Sequence, residues 1–370
     1  MLSRKVTLLL AVLFFAVIDA SAQSEVFKNV VNNLALYKQK KDLKYLTNAK
    51  KSVDSLMKTH LDSVDLEKNV YKAVVYSSIV YLDSTNKLKM PPVFFGQVTR
   101  LVNQLMGDKR SYRYQHQIDF SRKSVANVYL RQGFDYMRIS DFYNAIQSFQ
   151  KAKKFAPEYK ELSGYIAYAN NKMGNLIDAT KYYTDLLKTD SSKAEVIEAA
   201  SNAFKAIGDT TKALHLLQKG RKKLPDDKFL LLDEANIYNN KRDYGSLEPL
   251  LSQLLDENPA NAEIVYIAAN CYDHLNEFDK AESLYLRSIE LNNSVFEPIY
   301  NLGLLYLRKA VANKGQTKGF ERSGIWLEKA NEISPNDVKC LQLLQIVYLK
   351  MGNQDQLEKT INKLKNLTNQ

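Results

Sequence analysis

Apolar residues recur at helical spacing along most of this chain, and from residue 126 onward the helical pattern itself repeats every 34 residues. Nearer the amino terminus, Phe27, Val30, Val31 and Leu34 form one stripe, and Leu43, Leu46, Ala49, Val53 and Leu56 a second. Intervals of three and four place each set on one face of a helix. Leu66, Val70, Val74 and Tyr81 predict a third helix over 64–83. Pro91 and Pro92 open a fourth through Phe95, Val98, Leu101, Val102 and Leu105, since proline is tolerated in a first turn. Nothing breaks the pattern over 112–139, which predicts one over-long helix. Strand signals are absent. The chain reads as all-α.

The repeat shows as columns. Small residues stand at Gly133, Ala167, Ser201, Ala235, Ala269 and Gly303, and large rings at Tyr136, Phe204, Tyr238, Tyr272 and Tyr306, with Asn170 a lapse. A third column runs Ala145, Ala179, Ala213, Leu247, Ala281, and a fourth Phe149, Tyr183, Leu217, Leu251, Tyr285. Pro157, Pro225 and Pro259 close three of the units. Glycine inside a helix costs about 1 kcal/mol against alanine, so Gly133 and Gly303 should recover that cost through close packing. Tyr136 and Phe149 are then expected to fill the space beside the contact, and Leu247 to push its helix pair slightly apart. This pattern resembles the tetratricopeptide repeat family, and Gly133, Tyr136, Ala145, Phe149, Ala152 and Pro157 match its signature in one unit. The resemblance implies a right-handed α-solenoid of helix-turn-helix repeats.

Seven repeats are expected, at 126–159, 160–193, 194–227, 228–261, 262–295, 296–337 and 338–370, behind a degenerate helical cap over 23–125. The sixth carries eight extra residues, expected as an enlarged loop around 312–322 beside a lengthened first helix. Such an insertion is either a contact loop or a tolerated surface insertion.

Residues 1–22 differ from the rest. Arg4 and Lys5 precede an apolar run over 6–18 and the small-x-small triplet Ala20, Ser21, Ala22. That is the layout of a secretory signal peptide, so cleavage after Ala22 and export to the periplasm or the cell exterior are expected. No later segment is long and apolar enough to span a bilayer. Cys271 and Cys340 fall in different repeats, too far apart to bridge, and are expected as buried free thiols. His60, His116, His215 and His274 are scattered, without metal-ligand spacing.

Charge is uneven. The chain carries +11 overall, yet residues 23–125 hold 18 basic and 9 acidic side chains while 126–370 hold 32 and 31. Lys38, Lys40, Lys41 and Lys44 cluster within that basic segment. They form either a solvated face that maintains solubility or a docking patch for an acidic envelope surface. No aromatic-basic motif points to nucleic acid.

No phosphate loop, nucleophile elbow or zinc motif occurs, so no enzyme activity, cofactor or metal is expected. The family resemblance instead implies a concave groove lined by the first helices of successive repeats. Its lining would include Asn202, Asn236, Asn239, Asn240, Asn270, Tyr266, Tyr300 and Arg308. Asn202, Asn236 and Asn270 are spaced by 34 and would project as a ladder. Carboxamides both donate and accept, so such a row can clasp a peptide main chain. Tyr266 and Tyr300 would stack on or cover an apolar anchor. The carboxylate clamp of the family's co-chaperones is not expected: Glu198 stands where a lysine is required, and Glu195 and Glu263 add repulsion. The expected function is a non-catalytic protein- or peptide-binding scaffold of a bacterial cell envelope. The alternative is an envelope glycan- or lipid-associated binding protein that docks through its basic amino-terminal region.

Overall fold

Turn chemistry sets the beat of this fold. Ser140, Gly174, Gly208, Arg242 and Asn276 stand 34 residues apart, and all five have left-handed backbone, with φ of 60°, 77°, 82°, 56° and 64°. Each ends a helix. The next residue (Asp141, Asn175, Asp209, Asp243, Glu277) then sends its N–H five residues back, to the carbonyls of Tyr136, Asn170, Phe204, Tyr238 and Tyr272, at 2.9 Å in every case. That is a Schellman closure. Asp141, Asp209 and Asp243 also cap the following helix, accepting the N–H of Asn144, Lys212 and Ser246. One dipeptide therefore stops one helix and starts the next.

The computed structural model describes residues 25–189, 193–312 and 317–368. The expected export signal lies outside them. Among the described residues there are helices and no strands. The chain divides into two compact units, Met1–Ser191 and Ser192–Gln370.

In the first unit, α1 (Glu25–Lys40) and α2 (Lys44–Ser55) form a hairpin, followed by the short α3 (His60–Val64), α4 (Leu66–Leu82) and α5 (Phe94–Gly107). A 3₁₀ turn, Lys109–Tyr114, leads into the 24-residue α6 (Gln115–Arg138). Then come α7 (Phe142–Phe155), α8 (Glu161–Lys172) and α9 (Leu176–Thr189). The predicted stripes face inward: Val30, Leu46, Ala49, Val53, Val70, Val98 and Val102 are fully buried in one cluster.

The second unit pairs α10 (Ala194–Ala206) with α11 (Thr210–Arg221), and α12 (Lys228–Lys241) with a broken second helix, α13 (Tyr244–Leu247) and α14 (Leu251–Glu257). The pairs α15 (Ala262–His274) with α16 (Phe278–Leu291), α17 (Phe296–Ala312) with α18 (Thr317–Ile333), and α19 (Val338–Met351) with α20 (Gln354–Thr368) follow.

Helix pairs close on their small residues. A Cβ added at Gly133 would lie 2.3 Å from the Phe149 ring, and one at Gly303 2.7 Å from Leu327. Ala167, Ser201, Ala235 and Ala269 are buried. Two expectations are corrected. Tyr136 remains 36% exposed, and Phe149 is instead enclosed by Phe134 and Tyr165, with centroids at 5.5 and 5.6 Å. Later members of the ring column bond back to the preceding repeat's second helix: Tyr238 accepts from Gln218 at 2.7 Å, and Tyr306 donates to Glu282 at 2.8 Å. Among the described residues, the Tyr136 hydroxyl makes no such bond.

Leu247 is fully buried, and the second helix of its repeat is interrupted by a 3₁₀ segment at Glu248–Leu250 carrying Pro249. Proline lacks the N–H that an α-helix requires there. Second, the sixth repeat has the lengthened first helix expected of it, but among the described residues 317–322 belong to its second helix and not to a loop. Its extra residues lengthen both helices to 17 residues each, and Gly319 lets them meet at Ala310, where a Cβ would approach to 2.7 Å.

Candidate partner-binding surface

All eight expected groove residues lie on the first helices of second-unit repeats. Asn202 is on α10, Asn236, Asn239 and Asn240 on α12, Tyr266 and Asn270 on α15, and Tyr300 and Arg308 on α17. Asn202 and Asn240 are exposed, and Asn236, Asn239 and Asn270 half-buried. Among the described residues, the carboxamides of Asn202, Asn236 and Asn270 make no hydrogen bond. Neighbouring first helices are tied together beside them. Lys205 on α10 reaches Asp233 on α12 at 3.7 Å. Apolar residues of α12 and α15 share one cluster around Ala235, Tyr238, Ile264 and Ala268.

Three predicted groove residues have other work. Arg308 donates to both carboxylate oxygens of Asp273 at 2.5 Å, and Asp273 is buried. Tyr285, on α16, completes that cluster with a 3.3 Å hydroxyl contact. Arg308 therefore joins two repeats, although its outer surface remains exposed. Tyr266 accepts from Asn301 Nδ2 at 3.1 Å, and Tyr300 stacks on Phe296 with centroids 5.3 Å apart. Burial pushes both phenol groups above their ordinary range. The two rings serve mainly as walls of the core.

Asp273 and Asp233 were not singled out in the sequence. Their signal was available: Asp273 precedes Arg308 by 35 residues, one repeat plus one position. The wall formed by α10 and α12 is acidic. Burial first, and then the charges of Asp233 and Asp227, raise the Glu198 carboxyl, while Lys205 pulls it back. One oxygen of Asp233, Oδ2, is buried without a hydrogen-bond partner among the described residues.

A second surface lies in the first unit. Lys38, Lys40, Lys41 and Lys44 gather on the turn between α1 and α2, with Lys40, Lys41 and Lys44 exposed. Lys40 and Lys44 lie over the Tyr45 ring at 5.9 and 5.2 Å, and Lys41 over Tyr37 at 5.9 Å. Lys44 also pairs with Asp42 at 3.1 Å.

Cys271 and Cys340 are buried free thiols; burial pushes each up to about 12. Among the described residues, no helix is long and apolar enough to cross a membrane, and no group of His, Cys, Asp or Glu is arranged to hold a metal ion.

A tetratricopeptide repeat family model matches residues 241–294, which span the broken helix and the Asn270 helix. Residues 241–294 are tetratricopeptide repeat. Among solved structures, the carboxy-terminal part of a TPR repeat-containing protein from Cytophaga hutchinsonii superposes with a TM-score of 0.53 at 13% identity, over 64% of this chain and 95% of that one. A tetratricopeptide repeat protein from Parabacteroides merdae gives 0.44 at 16% identity, over 65% and 93%. YrrB, a TPR protein described as having an unusual peptide-binding site, gives 0.46 at 20% identity, over 52% and 96%. No curated protein matches the sequence. Tetratricopeptide domains in general bind protein or peptide partners and act as non-catalytic scaffolds.

Proposed function

We propose that this protein is a non-catalytic scaffold of a bacterial cell envelope, and that it holds an extended peptide or partner helix along the first helices of its second unit. The row Asn202, Asn236 and Asn270 carries this reading. These carboxamides stand at equivalent positions on successive repeats and are not consumed by the fold. Each can accept a main-chain N–H and donate to a carbonyl, whatever side chains the partner bears.

Charge narrows the partner. Glu195, Glu198, Asp227 and Asp233 stand on or beside α10 and α12, so a segment that offers N–H donors or basic side chains fits, and an acidic tail does not. Export rests on residues 1–22, whose charged start, apolar run and Ala-Ser-Ala triplet follow the signal-peptide pattern.

The test is cross-linked capture from native membranes with the full chain as bait, beside an Asn236→Ala, Asn270→Ala variant. A hydrogen bond contributes about 1 kcal/mol net, so the paired loss should weaken partner binding roughly thirtyfold without altering the helical content. Equal recovery by the variant and the parent chain contradicts the reading.

A further inference from the structure

The lysine turn acquires neighbours in three dimensions that the sequence keeps apart. Phe27 and Tyr71 pack with ring centroids 4.6 Å apart, and α2, which returns along α1, sets Lys50 over the Tyr76 ring of α4 at 5.4 Å and accepts the Tyr76 hydroxyl on Asp54 at 2.6 Å. Helices α1 and α4 therefore run parallel, and their carboxyl ends lie together. The turn over 38–44 and the loop over 83–93 share that end. Lys87 and Lys89 on the loop are exposed, which brings six lysines to one end of the bundle.

Both connections are held firmly. Lys41 N–H closes on the Tyr37 carbonyl at 2.8 Å. Asp83, buried, accepts the N–H groups of Lys87 and Leu88, each at 2.8 Å. Asn86 brackets Met90 from both sides, at 2.7 and 3.0 Å. The acidic groups at this end are occupied: Asp83 by those amides, and Asp42 by Lys44.

Apolar tips stand among these cations. Val93 is 63% exposed, next to the exposed Pro91 and Pro92. Arg131 on α6 donates to the Val80 and Tyr81 carbonyls, so α6 passes the end of α4 at that level. It continues for seven residues to Arg138, about 10 Å at helical rise. There Ile139 and Tyr143 are 71% and 62% exposed. The carboxylates of that tip are also engaged, Asp135 by Arg138 at 2.5 Å and Asp141 by the Asn144 amide.

We infer that this end of the first unit is a docking face for an anionic lipid membrane. Lysines beside a negatively charged leaflet each contribute favourably, and exposed aliphatic and aromatic tips enter the headgroup boundary. An acidic glycan would use the lysines and gain nothing from Val93, Ile139 or Tyr143. The surface is separate from the asparagine row and stands or falls independently of it.

The test is co-sedimentation of the chain from Gln23 onward, which keeps every described helix and removes the apolar residues 6–18. Phosphatidylcholine vesicles are compared with vesicles that also contain phosphatidylglycerol. Binding is expected only to the anionic vesicles, and it should fall with added salt. A Lys40→Gln, Lys41→Gln, Lys87→Gln, Lys89→Gln variant should bind at least tenfold more weakly, with an unchanged circular dichroism spectrum. Val93→Ser should weaken binding severalfold and leave the salt dependence intact. The Asn236→Ala, Asn270→Ala variant should bind vesicles like the parent chain. Equal binding to both vesicle types, or full binding by the lysine variant, overturns the inference. So does lysine-dependent binding to acidic peptidoglycan fragments without vesicle binding, which would identify a glycan reader.

Discussion

Gly133 shows what a single residue contributes. Its missing side chain leaves room for the fully buried Phe149 ring, which Phe134 and Tyr165 hold from other directions. Alanine would gain about 1 kcal/mol of helix propensity and force an overpacked core, which typically costs about 1–3 kcal/mol. Gly133→Ala should therefore lower the urea midpoint of unfolding; an unchanged or raised midpoint would show that the ring can move aside. Arg308 makes the converse case. Removing it strands the buried Asp273 carboxylate; because Arg308 itself is partly exposed, the loss is about 1–3 kcal/mol. Arg308→Ala should be clearly destabilised in thermal melts, and adding Asp273→Asn should restore most of the loss. Glu198 gives a pH signature. Its carboxyl is raised in the folded chain from an ordinary 4.5, so the native state binds the proton more readily than the unfolded state. Its contribution to stability therefore grows as pH falls from neutral through the raised value, and is complete below the ordinary one. Glu198→Gln should raise the melting temperature at neutral pH and flatten its rise toward pH 5. A parallel pH dependence in variant and parent would refute this.

At the scale of elements, the hydrophobic columns made the helix pairs legible because burial follows the same period as the helices. The turns were equally periodic, but they went unread because their signal is conformational. Ser140, Gly174, Gly208, Arg242 and Asn276 share a backbone angle and little chemistry. A side chain in the left-handed region costs about 1–2 kcal/mol, part of which glycine returns as lost chain entropy. Arg242→Gly should then stabilise the chain by about 0.5–1 kcal/mol in denaturant titration, and destabilisation would mean that the arginine side chain supports the turn. The break at Pro249 and the lengthened second helix of the sixth repeat were missed for related reasons. Proline was weighed as a helix opener or a terminator, and residues 312–322 as a loop. Gly319 proves to be a close-packing residue within a helix.

Across the whole molecule, the asymmetry of charge was plain in the sequence, whereas its arrangement was not. Lys87 and Lys89 join the 38–44 turn only because α1 and α4 run parallel, a relation that no spacing in the chain encodes. The proposed groove rests on asparagines whose spacing was plain in the sequence and which the fold leaves unbonded. It was less legible in Tyr266, Tyr300 and Arg308, because positions on an inner helix face can serve the core or a partner with the same residue types. The central claim is that the first helices of the second unit hold a partner. A photo-cross-linking scan tests it most directly, with the reactive side chain placed in turn at Asn202 and Asn240 on the first helices and at His215 and Lys219 on a second helix. All four positions are exposed. A common partner captured from Asn202 and Asn240 and missed from His215 and Lys219 is the predicted result; capture from the second helix alone would contradict the account.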